Sequence, residues 1–225
     1  MIDLSRRATE GELLDGAVSE SEAVGSLADL RFVNRWLGNP GRLAAATARY
    51  LNRADRPRLL DVGCGSADIP MMLLQRSPRP LVAVGVDIKL LHLQSAPREV
   101  QRVVADVRRL PFPPESFDVV TASLFLHHFD GAEVAEVLAS LFRLTRGALV
   151  VNDLRRAWVP YLFGRAVFPA LFRSRVSVED GLLSIRRGFT AEELRAAFAE
   201  AGIARVEVRP SFPYRLLAVA EKRAA

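Results

Sequence analysis

The stretch Leu59-Leu60-Asp61-Val62-Gly63-Cys64-Gly65-Ser66-Ala67-Asp68-Ile69 limits the folds open to this chain more than any other. Its apolar start reads as a buried strand, Gly63 to Gly65 as a sharp turn, and the residues that follow as a helix start. An α/β protein uses such a unit to bring bare main chain against a nucleotide-like ligand. Gly63 and Gly65 lack a Cβ, so the backbone can turn tightly and approach closely. The helix then offers unpaired N–H groups and the positive end of its dipole. Taken alone, a motif this short also fits a turn that merely joins strand to helix.

The next residues narrow the ligand. A dinucleotide fingerprint counted from Gly63 needs its third glycine at position 68, where this chain has Asp68. A carboxylate there would repel a pyrophosphate. The loop instead suits a phosphate-free ligand with a cationic centre, and S-adenosylmethionine answers that description. The run Leu81-Val82-Ala83-Val84-Gly85-Val86-Asp87 reads as a strand buried on both faces. Asp87 at its carboxyl end is spaced roughly 20 residues beyond the loop, as a ribose-binding acid would be. An N-cap role for Asp87 is compatible with that one. Ile88 could cover an adenine face. A third strand ends at Asp106, which could accept from the adenine amino group while the Val107 N–H donates to the ring.

The strand Phe117 to Ala122 then leads into Ser123-Leu124-Phe125-Leu126-His127-His128-Phe129. With it the chain resembles the class I S-adenosylmethionine-dependent methyltransferases, in the small-molecule branch similar to the quinone-biosynthesis enzymes. The matching residues are Asp61-Val62-Gly63-Cys64-Gly65, Val86-Asp87, Ala105-Asp106-Val107, Leu110-Pro111-Phe112, Ser116-Phe117-Asp118-Val119-Val120 and Leu126-His127-His128. Phe189-Thr190-Ala191-Glu192-Glu193-Leu194 and Ala201-Gly202-Ile203 fit the family's last helix and following strand. One departure is Ala67, where the family often has glycine. The resemblance implies a Rossmann-like three-layer sandwich with a mostly parallel seven-stranded sheet and a final antiparallel pair of strands. It also implies cofactor contacts at Asp61, Gly63, Cys64, Gly65, Asp87, Ile88, Asp106, Val107 and Ser123.

The periphery reads as follows. Residues 1 to about 54 form a helical N-terminal cap, with apolar residues at helical spacing from Leu27 to Leu37, a break at Gly38-Asn39-Pro40-Gly41, and a second helix from Leu43 to Leu51. By the resemblance this cap closes over the cofactor, and Arg31, with Asn34 and Arg35, is either a contact to its carboxylate or part of a solvated helix face. Residues 154–188 interrupt the strand–helix alternation with an aromatic insertion between 55–153 and 189–225. Trp158, Tyr161 and Phe168 within it are candidate substrate contacts. The insertion is either a lid over an apolar pocket or a segment that dips into a membrane surface. It is too short and interrupted to span a bilayer.

Composition agrees with one globular domain of 225 residues. The start lacks an apolar signal segment, so a cytoplasmic location is expected. Cys64 is the lone cysteine, and no Cys/His spacing suggests a metal site. The net charge of +5 comes almost wholly from arginine spread along the chain. Ser123-Leu124-Phe125-Leu126 stands where DNA amino-methyltransferases carry an Asn/Asp-Pro-Pro-aromatic grip, so no nucleic-acid substrate is expected. His127 and His128, just past the fourth strand, are candidate bases for an oxygen acceptor with a phenol-like pKa, and adjacent positions predict that only one of them faces the pocket. The competing reading is that both are purely structural. The expected activity is methylation of an oxygen, or alternatively a carbon, of a small aromatic, quinol or polyketide-like molecule; a non-catalytic S-adenosylmethionine-binding module is the competing reading. Oligomeric state is not legible.

Overall fold

A computed structural model describes residues 2–13, 25, 26, 29 and 40–222. Among the described residues the first long helix, α1 (Pro40–Leu51), begins at a proline, where the missing N–H would have had no helical partner. Pro40-Gly41, read from sequence as a break, is therefore the helix start. The expected helix from Leu27 to Leu37 lies almost wholly outside the described residues.

From Arg58 the chain alternates strand and helix: β1 (Arg58–Val62), α2 (Asp68–Arg76), β2 (Val82–Asp87), α3 (Leu90–Gln94), β3 (Gln101–Val104), β4 (Phe117–Ser123), α4 (Ala132–Leu144) and β5 (Thr145–Leu154). Two helices follow, α5 (Trp158–Leu171) and α6 (Arg175–Arg187), then α7 (Ala191–Glu200), β6 (Val206–Ser211) and β7 (Arg215–Glu221). The sheet order is β3-β2-β1-β4-β5-β7-β6. Strands β1 to β5 pair in parallel, and β7 runs antiparallel to both β5 and β6. The expected seven-stranded sheet with its final antiparallel pair is thus present. The order reverses direction between β1 and β4, which opens a crevice at the carboxyl ends of those strands.

Successive strand residues face opposite sides, and both sides are covered. Leu60, Val62, Val120, Ala122 and Leu149 pack with Val134, Leu138 and Leu141 of α4 and Leu194 and Phe198 of α7. Their neighbours Leu59, Val119, Ala148 and Val150 pack with Leu43 and Tyr50 of α1 and Ile69 and Leu73 of α2. This one-residue alternation makes a three-layer sandwich out of near-continuous apolar runs.

The insertion forms two packed helices. Pro160 falls in the first turn of α5 and costs no internal bond, and Pro169 is accommodated within its last turn. Gly164 and Gly181 let α5 and α6 close around the Phe168 ring; a Cβ on Gly164 would stand 2.8 Å from it. Trp158, Val159 and Leu162 remain exposed on the outer face of α5. No helix among the described residues is long and apolar enough to cross a membrane.

Arg156 ties this insertion to the rest. Its guanidinium is wholly buried, pairs with Glu193 and donates to the carbonyls of Gly188 (2.6 Å) and Leu4 (3.1 Å). Glu193 also closes a capping box at the start of α7 by accepting from the Thr190 N–H at 2.8 Å. Replacing Glu193 with glutamine should lower the unfolding free energy by about 2 kcal/mol, less than for a fully enclosed pair because Glu193 is partly exposed; chemical denaturation measures it.

Asp61 is buried within the sheet and accepts from the Thr121 hydroxyl at 2.6 Å. Burial lifts its carboxyl to about 7, with Thr121 opposing. The unfolded chain therefore ionises first, and stability should fall as pH rises from about 4 to about 7 and then level off. Asp61→Asn keeps the acceptor for Thr121, so its denaturation midpoint should lack the decline between pH 5 and 7.5 that the parent shows.

Candidate active site

The loop after β1 departs from ordinary backbone at three places. Gly63 and Gly65 have φ of +63° and +54°, and Ala67 reaches +60°. The left-handed angle at Ala67 explains in backbone terms why glycine suits that position. A Cβ on Gly63 would lie 2.1 Å from the Phe125 ring, while one on Gly65 would meet nothing within 4 Å. Gly63 is thus set by packing, and Gly65 leaves room for a ligand. The Gly65 N–H donates to Asp87 Oδ2 at 2.9 Å, and the Lys89 N–H to Asp87 Oδ1 at 2.9 Å. Burial would raise the Asp87 carboxyl, but His92 and these N–H groups outweigh it and hold it below the usual range. Asp87 therefore braces the loop and the turn before α3 while keeping its place in the crevice.

The loop, Asp87, Ile88, Asp106, Val107 and Ser123 line one cavity of about 660 Å³. Asp106 is half-exposed and caps the turn at Val107–Arg109 by accepting from the Arg108 N–H at 2.9 Å. Cys64 is in the wall, and burial pushes its thiol pKa well up. Asp61 is not in the wall; it lies beneath the loop. Arg31, Asn34 and Arg35 lie outside the described residues.

The other end of the cavity is built on β4 and β5. After Ser123 the chain enters a single turn of 3-10 helix, Leu126–His128. Asp153, at the end of the neighbouring strand β5, gathers that turn. It accepts from the N–H groups of Phe125 (3.2 Å) and Leu126 (2.7 Å) and, through Oδ1, from His127 Nδ1 at 2.7 Å. Burial would raise the Asp153 carboxyl, but the His127 charge and these bonds prevail and lower it to about 2. A carboxylate can only accept, so Nδ1 carries a proton, and in the neutral form of the ring the lone pair is then on Nε2. Arg7 and Arg187 clamp the turn from behind through the carbonyls of His127, His128 and Phe129.

Both histidines line the cavity, contrary to the expectation that adjacent residues would diverge. The tight turn tilts their rings only 31° apart, with centroids 4.4 Å from each other. Glu12 faces both: Oε1 lies 3.7 Å from His127 Nε2 and Oε2 lies 3.7 Å from His128 Nδ1. Ser184 of α6 donates to the same carboxylate. Among the described residues these three form the set that could hold a metal ion, their ligand atoms lying within 4.8 Å of one another.

Of the expected aromatic contacts, Phe168 is in the wall, joined by Phe125, Phe163 and Phe172. Trp158 and Tyr161 are not. Trp158 is 53% exposed at the start of α5, and Tyr161 is buried in the cluster with Phe168 and Ile185. Helical periodicity sets Phe163 on the side opposite Tyr161; Phe168, seven residues on, shares the Tyr161 face and reaches the cavity about two turns further along α5. Sequence reading also missed Glu12, Asp153 and Arg215. Asp153 was accessible by the argument applied to Asp87, an acid at the carboxyl end of a buried strand. Nothing local marks Glu12 or Arg215, which reach the site through tertiary packing.

The donor end fits an adenosyl sulfonium better than a phosphate ligand. Asp68 stands in the first turn of α2, bonded to Ser66 Oγ at 3.1 Å, so a carboxylate already occupies the helix start. Asp87 and Asp106 add negative charge on the same side, and the open face of Gly65 admits a close ligand.

Residues 60–150 match the family described as a methyltransferase domain. No curated protein matches the chain in sequence. Solved structures agree in fold. A candidate O-methyltransferase of Nostoc punctiforme PCC 73102 is 17% identical, covering 96% of this chain and 64% of that one, with a TM-score of 0.66. A candidate methyltransferase from an antibiotic biosynthesis pathway of Anabaena variabilis ATCC 29413 is 24% identical, covering 76% and 64%, with a TM-score of 0.55. This chain therefore spans just under two thirds of the length of either protein. The plantazolicin methyltransferase BpumL, solved in complex with SAH, is 15% identical over 91% of this chain and 97% of that one, with a TM-score of 0.67. Strand order, glycine loop, placed acids and family match agree: residues 60–150 carry a methyltransferase domain, in a fold that the chain shares with solved methyltransferases.

Proposed function

We propose that the chain methylates a hydroxyl oxygen of a small, largely apolar aromatic acceptor of the quinol or polyketide type, of the kind made in secondary metabolism. One observation carries this reading: the His127 ring, fixed by the buried Asp153 at 2.7 Å and with Nε2 3.7 Å from Glu12 Oε1, lines a cavity walled by Phe125, Phe163, Phe168 and Phe172. The O-methyltransferase-like and antibiotic-pathway neighbours support the substrate class.

S-adenosylmethionine, when bound, supplies a methyl group on a positively charged sulfur that leaves without help from an acid. Asp87 would receive the ribose hydroxyls, and Asp106 with the Val107 N–H would hold the adenine edge. The phenylalanine walls orient the acceptor ring and keep water away. His127 Nε2 takes the proton of the acceptor hydroxyl, which leaves the oxygen as the nucleophile. Asp153 steadies the tautomer before transfer and the imidazolium after it. Glu12 lies beside both rings and offsets the charge that develops there.

Replacing His127 with alanine should lower kcat by about 100-fold or more while the acceptor KM changes little, as for loss of a general base. Transfer of labelled methyl to a panel of phenols and quinols measures it; equal rates in parent and variant would remove the histidine from the chemistry. Mass fragmentation of the product settles the atom, and a methyl on a ring carbon would overturn the oxygen assignment. Asp87→Ala should weaken S-adenosylhomocysteine binding by about tenfold or more, read by calorimetry, through loss of charge-assisted hydrogen bonds and of the brace on Gly65.

A further inference from the structure

We infer that the acceptor half of the cavity contains an anion subsite centred on Arg215, which takes an oxyanion, a carboxylate or phenolate, carried by the aromatic acceptor. The inference rests on the assignment of that half to the acceptor. Its starting point is a contrast among the buried arginines. Three are found among the described residues: Arg156, Arg187 and Arg215. Arg156 pairs with Glu193, and Arg187 pairs with Asp130 at 3.3 Å while donating to the carbonyls of His127 and His128. Arg215 has no ion pair among the described residues, and its Nε is buried without a hydrogen-bond partner.

Burying a guanidinium without an anion is costly, and the side chain is not adrift in the core: it lines the cavity. The topology puts it there. β7 runs antiparallel to β5, so its first residue, Arg215, pairs with Leu154, the last of β5. That places a cation at the same sheet edge as the loop after β4. Asp153 is the acid whose charge Arg215 feels, but its oxygens already serve His127 and the N–H groups of Phe125, Leu126 and Leu154. Ser211, opposite Arg215 on β6, offers a neutral hydroxyl that cannot balance the charge. Leu154, Phe163 and Phe212 line the cavity with it, so an arriving oxyanion would meet Arg215 in mostly apolar surroundings, where a charge-assisted bond is strong. The donor's own carboxylate does not account for Arg215. The donor loop follows β1, and β4 and β5 stand between β1 and β7.

The test compares two probes of one shape, 6-hydroxy-2-naphthoate and 6-hydroxy-2-naphthamide, by calorimetry with S-adenosylhomocysteine saturating the donor half. The parent protein should bind the acid about tenfold or more tighter than the amide. Arg215→Met should abolish that preference while leaving the amide affinity unchanged, and Arg215→Lys should retain part of it. A parent that binds the two probes alike, or binds neither, overturns the subsite, as does a methionine variant that keeps the preference. If the methionine variant fails to fold, the preference in the parent and its partial retention in the lysine variant decide. Binding is read without turnover. A protein that selects the acid but methylates nothing would therefore defeat the proposed function and leave the subsite standing; methyl transfer without selection of the acid would do the reverse.

Discussion

The carboxylate of Asp153 holds the acceptor half of this molecule together. It is fully enclosed, remains ionised, and spends its lone pairs on an imidazole and on main-chain N–H groups from two segments. β4 and β5 pair in parallel, so their carboxyl ends arrive side by side, with Ser123 level with Asn152. One residue further, Asp153 is level with the loop that leaves β4. The register therefore delivers the anion to the turn that needs it. Without that anion the His127 ring would have no fixed tautomer, and the N–H groups of the turn would be buried without acceptors.

The two ends of the cavity are made by different means. The donor end is local: a glycine loop and an acid one strand away, linked by main-chain bonds. The acceptor end draws on the whole length of the chain, from Glu12 near the start, through the turn after β4 and the α5–α6 pair, to Arg215 at the head of the last strand. Such a division suits a scaffold that keeps one ligand constant and varies the other. The constant partner is read by backbone, whereas the variable one is read by side chains on peripheral elements.

That division also explains what was readable in the sequence. Buried parallel strands leave continuous apolar runs with an acid or glycine at the end, so β1, β2 and β4 and the placement of Gly63, Gly65, Asp87 and Asp106 could all be foreseen. The Thr190–Glu193 capping box likewise announces its helix locally. Glu12 carries no such mark, because its position depends on how the N-terminal segment packs on Arg187 and Ser184. The aromatic insertion was recognisable as a wall, but which ring faces inward depends on helix phase. Phase separates Phe163 from Tyr161, whereas Phe168 shares the Tyr161 face and reaches the cavity from about two turns further along α5, with Trp158 left outside. The paired histidines were misjudged because adjacent positions on a 3-10 turn diverge by about 120°, yet both side chains bend toward the Glu12 carboxylate, which faces the two rings.

Cys64 gives the donor loop a built-in reporter. It is the sole thiol of the chain, and enclosure beside Asp61 and Asp87 disfavours its thiolate. Its sulfur lies so close to Gly85 that a Cβ there would stand 2.8 Å from it. Maleimide or iodoacetamide at neutral pH should therefore react slowly with this thiol, which is partly buried and meets solvent in the cavity wall. The rate of alkylation then reports whether the space beside the loop is filled, in the unaltered molecule and without a spectroscopic label.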